Sequence, residues 1–329
     1  MREPLLEVKG LKKRYPVYGP LGKLFKPIDH MNAICDMCLA LYEGETYGLV
    51  GESGCGKTTT GRAILGLLHP DEGEILYEGK DLAKLSDKEM RPLRKEIQLV
   101  FQDPLSSLNP RQRIGSLLEE PLIIQKIGDG ESRRRAVIDI LEKVGLAEEH
   151  YFRYPHELSG GQVQRLGIAR ALIINPKLII CDEPVSALDV SIQAQILNML
   201  KRLQKEMSLS LLFISHDIGV IRYISNRIGV MYLGSLVEEA ETEQLFEKPL
   251  HPYTQALFSS VPDLASGRRK PEILEGERPM RTDKFKGCVF HTRCRYATDR
   301  CRMEAPCMKE VSPGHKVACH MTELKEGSA

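Results

Sequence analysis

The sequence predicts an α/β fold: a mostly parallel sheet flanked by helices, an inserted helical subdomain, and a smaller appended unit. Three observations carry this expectation. Short apolar runs at 47–50, 97–101, 178–181 and 211–214 are bounded by turn signals and read as buried strands. Helical periods fall between them. After about residue 243 the pattern becomes irregular and rich in proline and cysteine.

The elements follow in order. Residues 1–50 alternate apolar stretches with turn signals, as in Leu5-Leu6-Glu7-Val8 and Ala33-Ile34-Cys35. Residues 18–29 carry several glycines and prolines and read as an inserted loop. The strand at 47–50 runs into a glycine loop and then a helix over about 57–68. From about 105 to 149 the helical period dominates, through Ile114, Leu117, Leu118, Val137, Ile138, Leu141 and Val144. This defines a helical subdomain at about 105–175. A further helix is expected over 192–203. Residues 262–286 hold little apolar material and read as a linker. The expected division is a core over 1–243 and an extension over 244–329.

Composition narrows the function. A formal net charge of +1 gives no global field for nucleic acid or an anionic membrane. No apolar run approaches the roughly 18–20 residues that span a bilayer. The first residues lack the basic-then-apolar order of an export signal. Any membrane role is therefore expected to come through partners. The expected compartment is reducing, which disfavours disulfides among the nine cysteines.

Gly51-Glu52-Ser53-Gly54-Cys55-Gly56-Lys57-Thr58 matches the eight-residue phosphate-loop pattern. Its glycines let successive backbone N–H groups turn inward around a phosphate, and the following helix points its positive end at the same anion. Lys57 is expected to reach the β- and γ-phosphates, and Thr58 to ligate Mg²⁺. The candidate ATP contacts here are Gly51, Ser53, Gly54, Cys55, Gly56, Lys57, Thr58 and Thr59. Alone, this loop says only nucleotide.

Two further motifs add chemistry. Leu178-Ile179-Ile180-Cys181-Asp182-Glu183 is an apolar strand ending in two acids. Asp182 can hold Mg²⁺, and Glu183 is placed to deprotonate an attacking water. Leu158-Ser159-Gly160-Gly161-Gln162 opens a helix whose first amides form a second anion site. A second such site makes sense if it serves the nucleotide of another subunit.

On these motifs the chain resembles the ATP-binding subunits of ABC transporters, over nearly its whole length. The resemblance implies further roles. Tyr15 matches the aromatic that stacks on adenine. Gln102, in Val100-Phe101-Gln102-Asp103-Pro104, matches the Q-loop and joins Thr58 and Asp182 around Mg²⁺. Asp189, in Ser186-Ala187-Leu188-Asp189, matches the D-loop, and His216 the switch histidine. Glu183, His216 and Gln102 are the expected catalytic residues, with Ser159, Gly160, Gly161 and Gln162 acting on a partner's ATP. The implied fold is a P-loop ABC ATPase core with an antiparallel β subdomain.

Arg153-Tyr154-Pro155-His156-Glu157, Ser191-Ile192-Gln193-Ala194-Gln195 and Lys248-Pro249-Leu250-His251-Pro252-Tyr253-Thr254 resemble the oligopeptide/dipeptide importers more narrowly. The loop after Tyr15 looks like that of the second ATPase of such systems. The implied partners are a sister ATPase subunit or a second copy, two transmembrane permease subunits and an extracytoplasmic solute-binding protein, with no nucleic acid. The implied location is the cytoplasmic face of the cell membrane. Nickel importers use similar subunits, and a soluble, non-transport ABC ATPase is the alternative from another class.

Five cysteines fall in the last 42 residues. Cys288-x5-Cys294-x6-Cys301-x17-Cys319 lacks the paired spacing that zinc prefers. The wide spacings suit four thiolates on a cubane cluster; a thiolate zinc site and simple packing remain the other readings. The peptide-importer ATPases carry a similar tail in which four such cysteines bind a 4Fe–4S cluster, so the resemblance implies these four as ligands. Cys307 is set aside, and His291, His315 and His320 are held as further candidates. Cys35 and Cys38 flank a core-type strand pattern and read as packing.

Overall fold

The structure, a computed structural model, describes residues 3–18, 27–259, 279, 281–282 and 285–322. In chain order the first elements are β1 (Leu6–Val17), β2 (Asp29–Leu41), β3 (Thr46–Val50), α1 (Lys57–Ile64), β4 (Glu72–Tyr77), β5 (Lys80–Asp81), α2 (Asp87–Leu93) and β6 (Ile97–Val100). A helical run follows: α3 (Pro104–Ser107), α4 (Ile114–Ile124), α5 (Gly130–Lys143) and α6 (Gly160–Leu172). Then come β7 (Leu178–Asp182), α7 (Val190–Met207), β8 (Ser210–Ser215), α8 (Ile218–Ile224), β9 (Arg227–Tyr232) and β10 (Ser235–Glu241). The last are α9 (Thr242–Glu247), α10 (Pro252–Ser259), α11 (Asp299–Met303), β11 (Lys309–Ser312) and β12 (His315–Val317). Contacts divide the chain into two units. One is built mainly from Lys84–Ser215 with Leu41–Thr46; the other contains Leu5–Ala40, Tyr47–Ala83 and the chain from His216 onward.

In the first unit, β8, β7 and β6 pair in parallel, with Leu178 opposite both Ile97 and Ser210. Leu178–Cys181 and the whole of β8 are buried, which is why they read as continuous apolar runs rather than alternating ones. The helices α3 to α6 fill 104–172 without an intervening strand. Leu117, Leu118, Val137, Leu141 and Leu166 are buried among them. Each such side chain contributes roughly 1.5–3 kcal/mol by leaving water. Gly115 lies against the Tyr151 ring, where an added Cβ would come within 2.5 Å of it.

The second unit holds two sheets. One has the order β2-β1-β4-β5, with β1 and β4 antiparallel and Leu6 opposite Tyr77. The other runs β11-β12-β10-β9-β3. Here β3 and β9 are parallel, and the remaining pairs are antiparallel. Among the described residues before β3, the chain thus forms two long strands rather than many short ones. Gly10 marks a bulge: its φ is +57° and the β1–β4 register shifts between Lys9 and Lys12. Most of the inserted loop and most of the linker fall outside the described residues.

The extension is woven into the second sheet. Val317 on β12 pairs with Glu238 on β10. Glu238 is fully buried and accepts the N–H groups of Leu250 (2.7 Å) and His251 (3.0 Å), while His315 Nε2 lies 2.7 Å from its carboxylate. A buried carboxylate is tolerated only with such partners, so Glu238 ties α10 and β12 to β10. Burial pulls the His251 pKa down to about 4, the nearby Glu238 opposing. The neutral ring can then accept the Tyr253 N–H at Nδ1, 3.0 Å away.

Candidate functional site

The glycine loop leaves the fully buried β3 and enters α1. Two glycines are required by close approach. A Cβ on Gly51 would sit 2.1 Å from the Met231 carbonyl oxygen, and one on Gly56 would sit 2.3 Å from that of Ala33. Gly56 also has φ +110°, which a side chain would strain. Lys57 is buried, and its Nζ donates to the carbonyls of Gly51 (2.7 Å) and Glu52 (3.1 Å). Ser53 and Gly54 are exposed; Thr58 and Thr59 are half-buried at the start of α1. Cys55 is buried, its carbonyl accepts the Gly234 N–H, and its sulfur lies 3.7 Å from Lys57 Nζ. The helix α1 stops at Ile64, short of the expected 68. Tyr15 is half-buried on β1, with the Lys13 ammonium 6.0 Å from its ring centroid.

One residue of the loop has partners that sequence reasoning missed. The Glu52 N–H donates to Tyr253 Oη (2.9 Å), and its carboxylate accepts from Arg293 (3.1 Å). The only sequence signal was the His-Pro-Tyr run around Tyr253, which says nothing of its target.

In the first unit, Asp182 ends β7 and Glu183 follows it in the left-handed region, at φ +49°. The Glu183 N–H donates to the Ile214 carbonyl (2.9 Å), and its carbonyl accepts from Ser186 Oγ (3.1 Å). Gln102, exposed after β6, donates from Nε2 to the Glu183 carboxylate at 3.1 Å. The structure therefore brings Gln102 and Glu183 together across 81 residues.

Ser159 caps α6, and its N–H donates to Gln162 Oε1 at 3.0 Å. The Ser-Gly-Gly-Gln motif is thus itself an S-x-x-Q capping box. Ser159 and Gly160 are exposed, whereas Gly161 is buried against Ile192, where a Cβ would approach within 2.7 Å. Asp189 caps α7. His216, in the second unit, directly follows β8 in sequence and is exposed, next to Asp217, which accepts the Val220 N–H and caps α8.

The fold gathers four cysteines of the tail. Among the described residues, no group of three or more His, Cys, Asp or Glu is gathered as a metal-ion site. Cys288, Cys294, Cys301 and Cys319 line the walls of one cavity, with Phe290 and His320. Burial, reinforced by the neighbouring sulfurs, pushes the Cys288 thiol up to about 11, and burial likewise raises Cys319. Cys307 is exposed and outside the cavity lining. Cys38 is exposed as well, where packing was expected, and its sulfur accepts the Gly10 N–H.

Comparison with known proteins adds the relatives. Residues 34–186 match the ABC transporter family, and residues 237–301 match the oligopeptide/dipeptide transporter C-terminal region. The chain is 48% identical over 324 residues to the oligopeptide transport ATP-binding protein AppF of Bacillus subtilis, covering 97% of this chain and 98% of that one. It is 49% identical to the oligopeptide transport ATP-binding protein OppF of Escherichia coli, covering 97% and 96%. A solved dimeric, post-hydrolysis state of the ATP-binding cassette MJ0796, bound to ADP and Pi, superposes with a TM-score of 0.64 at 32% identity, covering 72% of this chain and 98% of that one. Fold and motifs together define a P-loop ATPase of the ABC class. Within it, the chain belongs to the ATP-binding subunits of oligopeptide/dipeptide ABC transporters.

Proposed function

We propose that this chain binds and hydrolyses ATP in a sandwich dimer to drive uptake of di- or oligopeptides through two permease subunits. The observation that carries the reading is the joint presence of the Gly51–Thr58 loop, the Gln102–Glu183 pair and the capped Ser159–Gln162 helix start in a chain so close to peptide-transport relatives. Lys57 and the loop amides hold the phosphates, and Tyr15 stacks on adenine. The oxygen donors Thr58, Gln102 and Asp182 suit Mg²⁺, a hard cation that offsets phosphate charge. Glu183 takes the proton of the attacking water, with Gln102 orienting its carboxylate and His216 facing the γ-phosphate. Ser159 to Gln162 and Asp189 complete the site of the facing subunit. Dimer closure and reopening then form a rigid-body transition that the permeases can follow.

No helix among the described residues is long and apolar enough to cross a membrane. The subunit sits at the cytoplasmic face through its permeases, and a separate binding protein delivers the solute. The test is transport by the reconstituted complex: ATP-dependent accumulation of labelled dipeptide in vesicles supports the reading. Nickel accumulation with no peptide uptake would overturn the solute.

The four cavity cysteines are the donor set for a 4Fe–4S cluster. A single cavity lined by four sulfurs suits a cubane better than one ion, and thiolates crowded in a buried place need a cationic centre to balance them. The cluster would staple a segment poor in large aliphatic side chains. Anaerobically purified protein is expected to be brown with about four irons per chain. Serine at Cys288, Cys294, Cys301 or Cys319 should each remove the iron, and Cys307→Ser should not. One zinc and no iron, or no metal at all, would sink the cluster.

A further inference from the structure

The residue that links the phosphate loop to the extension is Glu52. Its N–H is held by Tyr253 on α10 and its carboxylate by Arg293, which follows the first tail cysteine by five positions. These contacts reach across 201 and 241 residues. They are built, not incidental. Tyr253 is fully buried, and the Arg293 side chain is only 9% exposed. The same Arg293 nitrogen lies 3.4 Å from the hydroxyl of buried Tyr232. Tyr232, Tyr253 and Phe290 pack ring against ring behind the pair, at centroid distances of 4.6–5.5 Å. On its other side, Glu52 offers its carbonyl to Lys57 Nζ.

We propose that Arg293 and Tyr253 are positioning residues for ATP, acting through Glu52 on the phosphate loop. The proposal rests on reading Gly51–Thr58 as the loop that holds the nucleotide. A carboxylate in that loop repels a polyphosphate, and the repulsion grows with phosphate charge. The Arg293 guanidinium cancels the Glu52 charge and pins the carboxylate toward the extension. Tyr253 fixes the backbone of the same residue, and so the carbonyl that Lys57 meets. The peptide-transporter extension is then part of the ATP site's support, independently of any metal in its cavity.

The test uses full-length protein and titrations with ATP and ADP, together with steady-state hydrolysis. Arg293→Met is expected to weaken ATP binding about tenfold and ADP binding less, with the loss in KM and kcat held within about twofold. Adding Glu52→Gln to Arg293→Met should recover most of the lost ATP affinity, because it removes the uncompensated charge. Tyr253→Phe, which keeps the ring packing, should weaken ATP about threefold and provides the comparison if Arg293→Met does not fold. Unchanged ATP affinity in Arg293→Met or Tyr253→Phe, equal losses for ATP and ADP, or a double variant as weak as the single one would overturn the proposal. Absence of ATP binding by the wild-type chain would instead overturn the nucleotide reading itself.

Discussion

Glu183→Gln is expected to leave ATP binding intact and to lower turnover by ~10²–10⁴-fold, the usual contribution of a general base. The substitution keeps the shape of the side chain and an oxygen for Gln102 to donate to, 3.1 Å away in the native chain. It removes only the ability to take a proton from water. The backbone at 183 is held in the left-handed region by the bonds to Ile214 and Ser186, so the side chain's direction does not depend on its charge. Such a conformation costs on the order of 1 kcal/mol or more and persists where the surroundings over-determine it. With binding preserved and hydrolysis blocked, the variant should also accumulate as an ATP-bound dimer. Steady-state phosphate release and size-exclusion chromatography with ATP check both halves. Hydrolysis close to the wild-type rate would remove Glu183 from the base role.

Ser159→Arg is expected to abolish hydrolysis, by about a hundredfold or more, while the chain's own loop still binds ATP. Ser159 and Gly160 stand exposed at the start of a thirteen-residue helix, with the Ser159 N–H already satisfied by Gln162. Nothing in the packing of its own unit demands a small residue at 159, unlike Gly161, which is pressed against Ile192. A large cation at 159 loses the side-chain cap of α6, about 1 kcal/mol, but meets no packing clash, and it blocks the surface that would face a partner's nucleotide. Mixing the variant with Lys57→Ala chains should restore at most one working site per dimer. Normal hydrolysis by Ser159→Arg alone would rule out a site shared between subunits.

The readable parts of the site are those in which chemistry and local structure coincide in a few consecutive residues. The strand at 47–50, the glycine loop and the lysine form one continuous motif, and the structure places it between β3 and α1. The apolar runs of β7 and β8 were legible because parallel strands are covered on both faces. Residues 1–50 were harder. A bulge at Gly10 looks like a turn when only the residue type is visible, and β1 shows its length only beside β4.

By itself, the sequence determined the nucleotide chemistry, the ABC class and the peptide-transporter kinship. The first rests on a glycine loop whose backbone geometry suits a phosphate, and the other two on the resemblance of short consecutive motifs to a known family. Tertiary structure alone decided that Gln102 meets Glu183, and that Glu238 is the buried anchor of β12 and α10. It also decided that four widely spaced cysteines face one cavity and that the extension grips Glu52 through Tyr253 and Arg293. Those pairings span from tens to more than two hundred residues. An arginine or a tyrosine carries no mark of its partner until the chain has folded, because a hydrogen bond or an ion pair is set by distance in space and not by position along the chain.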